Sequence, residues 1–231
     1  MSSELKPLKL WGRYGANPPK IAYLLKELSL PYETVDIQLS EVKNPSYIAV
    51  NPNGRIPAIY DPNTDLTLWE SGAIIEYLIE TYDKSYKFSF PVGTPEYLHA
   101  KQWLYFQVTG QGPYYGQAAW FKRYHHEQLP SAIERYVKEV NRVTGVLEER
   151  LKKQKEEFGG KGDGPWLVGN KISYADIAFV QYQRIQPFIL DKEEYEVEKY
   201  PEVKGWLEKM LAREAIKKAV EETNAPLSTK A

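Results

Sequence analysis

The sequence predicts an α/β N-terminal domain followed by an all-α C-terminal domain. Residues 1–86 mix short runs of alternating apolar residues, typical of strands, with two helical patterns. Residues 87–95 lose this periodicity and contain two prolines and a glycine. From residue 96 to residue 231 the periodic segments have helical spacing. We therefore expect two domains joined by a linker at 87–95.

The N-terminal domain opens with a predicted strand, helix and strand. Residues 8–11 alternate as a strand does, and Asn17-Pro18-Pro19 begins a helix, because Asn is a favoured N-cap and Pro a favoured first helical residue. The apolar residues of this helix recur at helical spacing: Ile21, Leu24, Leu25 and Leu28. Leu30-Pro31 ends it, and residues 32–39 form the second predicted strand.

After a linking segment at 40–50, the sequence predicts two more strands and a helix. The strands are 55–60 and 66–69, and an apolar helix over 73–82 follows Glu70-Ser71-Gly72. A helix start offers unpaired N–H groups and the positive end of the helix dipole, and here a serine hydroxyl as well. This stretch is therefore typical of an anion-binding site. The order βαβ followed by ββα describes a thioredoxin-like domain.

Ile56-Pro57 interrupts the first of these two strands. Proline cannot donate to a sheet ladder, so Pro57 indicates either an edge position or a cis peptide bond. In both cases the backbone of Ile56 keeps open hydrogen-bonding groups that an extended peptide can use. A short anionic peptide is the ligand that these features predict.

The C-terminal domain is predicted to begin with a helix over 96–109, which ends at a glycine-rich break, 110–113. A long helix with apolar residues at three- and four-residue steps runs from Ile133 to Leu151. Ser173 and Asp176 match a capping box with Asp in place of the usual Glu, which we interpret as structural. The last helices are expected around 201–210 and 214–221.

Composition excludes several classes of function. Thirty basic and thirty-one acidic residues leave almost no net charge, which argues against general affinity for nucleic-acid phosphates. The chain has no cysteine, so disulfides, thiolate metal sites and a cysteine nucleophile are excluded. His99, His125 and His126 lack a third ligand at suitable spacing, so no metal is expected. With no apolar run of membrane length and no signal peptide, we expect a cytoplasmic protein.

Several motifs resemble the cytosolic glutathione transferases, over nearly the whole chain. They are NPNGRIPAI, WESGAIIEYL, WLVGNKISYADIAF, QWLYFQVTGQGPYYGQAAWF and SAIERYVKEVNRV. The last two are the most specific and are similar to the nu-class transferases and the yeast nitrogen-regulator subgroup. Members of that subgroup use an asparagine near the first helix start, where other classes use Tyr, Ser or Cys. Asn17 stands at that position.

The resemblance implies a glutathione thiol held by Asn17. Lowering a thiol pKa by about two units needs roughly 2.7 kcal/mol of preference for the thiolate. A hydrogen bond to a charged acceptor contributes about 1.5–3 kcal/mol, and a helix N-terminus roughly 0.3–1 kcal/mol. The Asn17 amide and the helix start therefore suffice without a general base. Asn17 as a plain N-cap is the competing interpretation, and Tyr14 is the alternative thiol partner.

The resemblance also implies where glutathione binds. The backbone of Ile56 would pair with the cysteinyl unit, with Pro57 holding that geometry. Ser71 would receive the γ-glutamyl carboxylate, unless it is only a cap, and Glu70 would face the α-ammonium group. Arg135 matches a family arginine that reaches the tripeptide, within the subunit or across a dimer.

One position departs from the family pattern. Relatives place Gln or His three residues before the proline of the segment 42–45, whereas this chain has Val42. Valine cannot bind the glycyl carboxylate, so either the neighbouring Lys43 replaces it or the affinity is lower. Tyr114, Tyr115, Trp120 and Phe121 are more typical of a core than of a substrate wall, but if the helical domain lines a second-substrate site, we expect it at this cluster.

The resemblance implies a homodimeric glutathione-dependent enzyme without a metal. It would conjugate glutathione to electrophiles, reduce disulfides or peroxides, or do both. Without a cysteine of its own, redox chemistry must use glutathione sulfur directly. The alternative is a regulatory protein of the same fold that binds glutathione with little turnover. The yeast relative carries a prion-like extension, whereas this chain begins directly at the fold, which favours the enzyme.

Overall fold

The computed structural model describes residues 5–158 and 161–224. Within them the strands are β1 (Leu8–Trp11), β2 (Tyr32–Val35), β3 (Ala58–Asp61) and β4 (Leu66–Trp69). The helices are α1 (Pro18–Glu27), α2 (Pro45–Ile48), α3 (Ser71–Tyr82), α4 (Pro95–Phe106), α5 (Gly112–Arg123), α6 (Pro130–Phe158), α7 (Tyr174–Ile185), α8 (Pro201–Ala212) and α9 (Glu214–Asn224).

The chain forms two compact units. One contains the described residues up to 84 together with those from 212 onwards, and the other contains 85–211. The domain boundaries predicted above, 1–86, 87–95 and 96–231, stay a prediction. In the first unit the C-terminal helix α9 packs against α1.

The first unit is built on a four-stranded sheet with the order β2-β1-β3-β4. β1 and β2 are parallel, whereas β3 is antiparallel to both β1 and β4. The side chains that fill its core come from β1, β3, α1 and α3, among them Leu8, Leu10, Ile59, Ile21, Leu24, Ile74 and Leu78. This is the α/β arrangement that the sequence predicts for the N-terminal part.

Two predicted strands are shorter than expected, for physical reasons. β2 ends at Val35 and not at residue 39, because its partner β1 ends at Trp11 and offers no further ladder. β3 begins at Ala58 and not at residue 55, because Pro57 has no N–H to donate. The linking segment 40–50 contains the short helix α2, which the sequence pattern did not reveal.

A buried carboxylate fastens the β3–β4 hairpin to α3. Asp61 is fully buried and accepts hydrogen bonds from the hydroxyls of Tyr77, at 2.8 Å, and Tyr82. It also accepts from the backbone and side-chain amides of Asn63, at 2.8 and 2.9 Å. Burial acts to raise the pKa of Asp61, but these hydrogen bonds outweigh it, so the pKa lies below its ordinary value.

Ion pairs attach α9 and the residue just before it to α1. Arg213 makes a bidentate pair with the buried carboxylate of Glu27, at 2.5 and 2.9 Å. Glu222 accepts from the Lys26 ammonium at 2.7 Å and from the Tyr32 hydroxyl at 3.0 Å. Bidentate arginine–carboxylate pairs fix orientation as well as distance. The position of α1 therefore depends on α9 and the residue before it, which are distant from α1 in the sequence.

The second unit is helical, as predicted, but the expected break at 110–113 is wrong. Residues Gln107–Gln111 form a π-helical turn that joins α4 to α5 without interruption. Within it the buried side chains of Gln107 and Gln111 bond to each other at 3.0 Å. In the part of the chain that is described, no helix is both long and apolar enough to cross a membrane.

The capping box at the start of α7 is confirmed. The buried Asp176 carboxylate accepts from the Ser173 N–H at 3.0 Å, and also from the N–H of Leu167 and the indole of Trp206. Burial raises the pKa of Asp176 to about 6, while these hydrogen bonds act in the opposite direction. At neutral pH the group is therefore a carboxylate that ties α7 to α8, which supports a structural role.

We expect Asp61→Asn to lower the free energy of unfolding at pH 7 by about 2–3 kcal/mol, because a neutral amide cannot accept from four donors. The folded-state pKa of Asp61 is depressed, so its contribution is fully present above the unfolded-state pKa of about 4 and is lost as the pH falls through the folded value. Urea unfolding at pH 7 and at pH 3.5 measures both effects.

Asp65→Asn is the matched control, because Asp65 is an exposed carboxylate of the same hairpin in a left-handed conformation that Asn tolerates. We expect it to change stability by less than about 0.5 kcal/mol. Equal losses for the two variants, or a loss for Asp61→Asn that is unchanged at low pH, would contradict the role given to Asp61.

Candidate functional site

The first unit contains a cavity of about 610 Å³, within the usual range for small-molecule sites. Three segments form its walls: the loop before α1, the segment after β2 and the residues just before Pro57. Its lining includes Tyr14, Asn17, Gln38, Ser40, Arg55 and Ile56.

Asn17 lies at the N-terminus of α1 and lines this cavity. It occupies the N-cap position, as predicted, but its backbone is already helical (φ −94°, ψ −43°) and its side chain makes no capping hydrogen bond. Capping therefore does not account for an asparagine at this position. Tyr14, the alternative thiol partner, lines the same cavity.

The Ile56-Pro57 peptide bond is cis, which decides between the two predicted explanations for Pro57. β3 lies inside the sheet, between β1 and β4, so the edge-strand explanation is wrong. Among residues 5–158 and 161–224, no hydrogen-bond partner is found for the N–H or the carbonyl of Ile56. Both groups are thus available beside the cavity, as strand addition by a peptide requires.

Glu70 and Ser71 lie at the same end of the sheet as Pro57. The antiparallel pair Ala58–Trp69 is the last pair of the β3–β4 ladder. The next residues on the two chains, Pro57 and Glu70, therefore both lie just beyond this end of the sheet. The helix begins one residue earlier than a serine cap requires: Ser71 is the first residue of α3 and Glu70 is the N-cap. Glu70 adopts a left-handed backbone (φ 70°), which is costly for a residue with a Cβ.

The side chain of Glu70 makes no capping hydrogen bond to α3. The first N–H groups of the helix, which have no intrahelical acceptor, therefore receive none from Glu70. Ser71 itself is buried. Serine hydroxyl, helix start and dipole together can receive a carboxylate. These residues do not line the cavity of Asn17 and Ile56, but follow directly from the same ladder end.

A buried cation lies in α1, one turn after Asn17. Lys20 is only 1% exposed, and burial lowers the pKa of its ammonium group to about 7, while the charge of Glu70 acts to raise it. The charge of Glu70 thus acts on α1 as well as on the start of α3. The sequence alone gave no signal for this lysine, since a single Lys on an amphipathic helix usually lies in solvent.

Besides Lys43, which stays a prediction, the structure offers a second candidate for the glycyl end of the predicted ligand. The Lys43 ammonium donates to the carbonyl of Asn53 at 2.9 Å and does not line the cavity, whereas Val42 does. Arg55 lines the cavity next to Ile56, and no carboxylate in the described part of the chain forms an ion pair with it. Sequence reasoning missed Arg55, although its place beside Ile56 was a usable signal.

The remaining predicted residues lie in the second unit. Arg135 is exposed on α6, and its role towards a tripeptide stays a prediction. Tyr115 is buried and bonds to Thr144 at 2.7 Å, so it belongs to the core and not to a substrate wall. Trp120 is 49% exposed and stacks on Tyr124. No group of three potential metal ligands occurs among the described residues.

Gly12 lets the loop before α1 approach Ile56 closely. A Cβ at this position would lie 2.9 Å from both Cβ and Cδ1 of Ile56, closer than such atoms can approach. Gly12 also has φ +92°, a conformation that other residues rarely adopt. Glycine at this position therefore allows the Asn17 loop and the Ile56 backbone to share one cavity.

We expect Gly12→Ala to weaken the affinity for reduced glutathione, the ligand implied by the resemblance, about tenfold or more, because it displaces Ile56. Backbone strain alone costs about 1–3 kcal/mol of stability. Gly93→Ala is the matched control, since Gly93 has φ +88° with nothing within 4 Å of its Cβ and lies outside the site. Calorimetric titration measures the change in affinity, and unfolding measurements give the change in stability. Equal affinities of Gly12→Ala and Gly93→Ala for glutathione would contradict the role of Gly12 in positioning Ile56.

Comparisons with known proteins agree with this geometry. The family models "Glutathione S-transferase, N-terminal domain" and "Glutathione S-transferase, C-terminal domain" match residues 6–80 and 113–214. The chain is 58% identical over 227 residues to the glutathione S-transferase-like protein gedE of Aspergillus terreus, covering 98% of this chain and 100% of that protein.

Two solved structures are similar over almost their whole length. One is the glutathione transferase URE2P8 of Phanerochaete chrysosporium with oxidised glutathione: the TM-score is 0.86, the identity 40%, and the coverage 96% of this chain and 97% of that one. The other is the nitrogen regulation fragment of the yeast prion protein Ure2p, with TM-score 0.85, 33% identity and coverage of 96% and 99%. This chain belongs to the glutathione S-transferase family.

Proposed function

We propose that this chain is a glutathione-dependent enzyme that activates the thiol of glutathione with Asn17. The observation that carries the proposal is that the Asn17 side chain, unused as a cap, lines the same cavity as the unpaired Ile56 backbone. A thiolate held at the start of α1 gains from the helix dipole and from an amide N–H donor. Asparagine cannot take the thiol proton, so Asn17 stabilises the thiolate and does not act as a base.

The tripeptide binds in an extended form across the end of the sheet. Its cysteinyl unit pairs with the backbone of Ile56, its γ-glutamyl carboxylate lies at Ser71 and the start of α3, and its α-ammonium faces Glu70. The glycyl carboxylate extends from Ile56 in the opposite direction and meets the guanidinium of Arg55. We prefer Arg55 to Lys43 for this contact, because the Lys43 ammonium is already bonded outside the cavity.

The activated sulfur serves conjugation and disulfide reduction. In conjugation the thiolate forms a bond to an electrophilic carbon and either displaces a leaving group, which departs with its bonding electrons, or adds to an activated double bond, whose other carbon then takes a proton from water. In reduction, two glutathiones convert one disulfide into two thiols and become oxidised glutathione, since the protein has no cysteine to take part. The similar structure of the glutathione transferase URE2P8, which was solved with oxidised glutathione, supports this second reaction.

The second candidate is a regulatory protein that binds glutathione with little turnover. The similarity to the nitrogen regulation fragment of the yeast prion protein favours it. Fold does not decide between the two, because the contacts that bind glutathione are separate from the contact that activates its sulfur. The two candidates differ in whether Asn17 activates the bound thiol enough for turnover.

We also propose that the protein is a cytoplasmic homodimer, as is typical of the family, in which Arg135 reaches the tripeptide within a subunit or across the pair. The solution mass of the purified protein tests the dimer. A monomer would restrict Arg135 to its own subunit.

We expect Asn17→Ala to bind reduced glutathione within about threefold of the native protein but to lose about ten- to a hundredfold in kcat. The loss reflects a charged hydrogen bond of about 1.5–3 kcal/mol, which also raises the pKa of the bound thiol by about one to two units. Calorimetry with reduced and oxidised glutathione, thiolate absorbance against pH, and turnover of a model electrophile and a model disulfide measure these effects.

Tyr14→Phe is the comparison variant. A larger loss of rate in Tyr14→Phe than in Asn17→Ala would transfer the thiol contact to Tyr14. If the native protein and both variants bind equally and none turns over either substrate, the enzyme proposal fails and the regulatory one replaces it.

We expect Arg55→Met to weaken glutathione binding about tenfold or more, the loss of a charge-assisted hydrogen bond to the glycyl carboxylate. Glutathione monoethyl ester, which lacks that charge, should bind the native protein and Arg55→Met almost equally. Lys43→Met is the control and should change the affinity less than twofold. A larger loss in Lys43→Met would instead support the contact first predicted from the sequence.

A further inference from the structure

The carbonyl of Arg55 accepts two hydrogen bonds from buried side chains. The Tyr47 hydroxyl of α2 donates to it at 2.8 Å, and Nδ2 of Asn51 donates at 2.5 Å. Tyr47 and Asn51 are only 3% and 2% exposed. The other end of the Asn51 amide is also used, since its oxygen accepts from the N–H of Asn53 at 2.9 Å.

Two donors on one carbonyl occupy both of its lone pairs, so the carbonyl cannot rotate without breaking one of them. The Arg55–Ile56 peptide bond is trans and planar, and such a plane points its C=O and N–H in opposite directions. Holding the carbonyl of Arg55 towards Tyr47 and Asn51 therefore points the N–H of Ile56 away from them. This N–H has no acceptor in the described part of the chain, and Ile56 lines the cavity.

We infer that Tyr47 and Asn51 are positioning residues that aim the Ile56 N–H at the cysteinyl carbonyl of glutathione. The inference rests on the proposed function, in which Ile56 pairs with the cysteinyl unit. Neither residue lines the cavity, so neither contacts the ligand itself. Both act through the peptide plane that they hold, and they lower the entropic cost of binding by fixing this plane beforehand.

A purely structural role makes a different prediction. If Tyr47 and Asn51 only stabilised the fold, their loss would lower stability and weaken every ligand of the site alike. A positioning role weakens the one contact that the Ile56 N–H makes, and leaves the others intact. The discriminating probe is a glutathione in which sulfur replaces the oxygen of the cysteinyl carbonyl, because a thiocarbonyl is a weaker hydrogen-bond acceptor that keeps the planar geometry, although its bond is longer and its sulfur larger.

The experiment titrates native protein, Tyr47→Phe and Asn51→Ala with glutathione and with the thiocarbonyl analogue, and measures thermal unfolding of each. Tyr47→Phe keeps the ring and should weaken glutathione binding about threefold to fivefold, Asn51→Ala about tenfold, with the loss in KM and not in kcat. With the analogue, both losses should shrink to less than twofold. Tyr60→Phe, which removes a tyrosine hydroxyl bonded to Asp65 on the β3–β4 hairpin, is the matched control and should bind both ligands as the native protein does.

The outcomes are separable from those of the proposed function. If the native protein does not bind glutathione, the proposed function fails. If the native protein binds glutathione, and Tyr47→Phe and Asn51→Ala bind it with the native affinity, the positioning role is overturned while the proposed function stands. Losses that are equal for glutathione and for the analogue show a structural role only and also overturn it. Should Asn51→Ala fail to fold, Tyr47→Phe decides alone.

Discussion

Pro57 has no N–H to give to a ladder, and the layout of the first unit follows from that absence. β3 begins at Ala58, one residue beyond it, and pairs there with both Trp11 and Trp69. The backbone of Ile56 is left just outside the sheet, at the end of a central strand, where a peptide can supply the hydrogen bonds that the sheet does not. Since Glu70 and the start of α3 follow the same end of the ladder, the groups that recognise a short anionic peptide gather at one place.

The position of α1 is fixed from three sides, which matters because its first turn carries Asn17. Its apolar face packs on the sheet and α3. Its other end is held by Arg213, which lies just before α9 and pairs with Glu27, and by Glu222 of α9, which pairs with Lys26. The loop before it reaches Ile56 only because Gly12 has no Cβ. A small displacement of any of these contacts moves the amide of Asn17 relative to the unpaired backbone, and a hydrogen bond to a thiolate is sensitive to such displacements.

Local patterns in the sequence predicted the elements well, because alternation, helical spacing and capping residues act over a few positions. They predicted the strands of the first unit, the capping box at Ser173 and the open backbone at Ile56. Features set by contacts distant in sequence were missed or wrong. Gly110, Gly112 and Pro113 predict a break, but a buried bond between Gln107 and Gln111 stabilises a π-helical turn there. The contribution of Lys43 stays a prediction, with its ammonium bonded to the Asn53 carbonyl, whereas Arg55, which lines the cavity, was missed.

Binding and activation lie on different elements of this unit. The backbone of Ile56 and the start of α3 can hold a tripeptide whatever residue stands at position 17, since they offer main-chain groups and a serine. In the proposed function, a side chain at position 17 is needed only for the sulfur. An asparagine kept solely for helix α1 would be expected to cap it, and this one does not. Because Asn17 lines the cavity beside the Ile56 backbone, the task that we propose for its amide is to donate to a ligand there, and in glutathione bound through Ile56 the group that gains most from a donor is the thiolate.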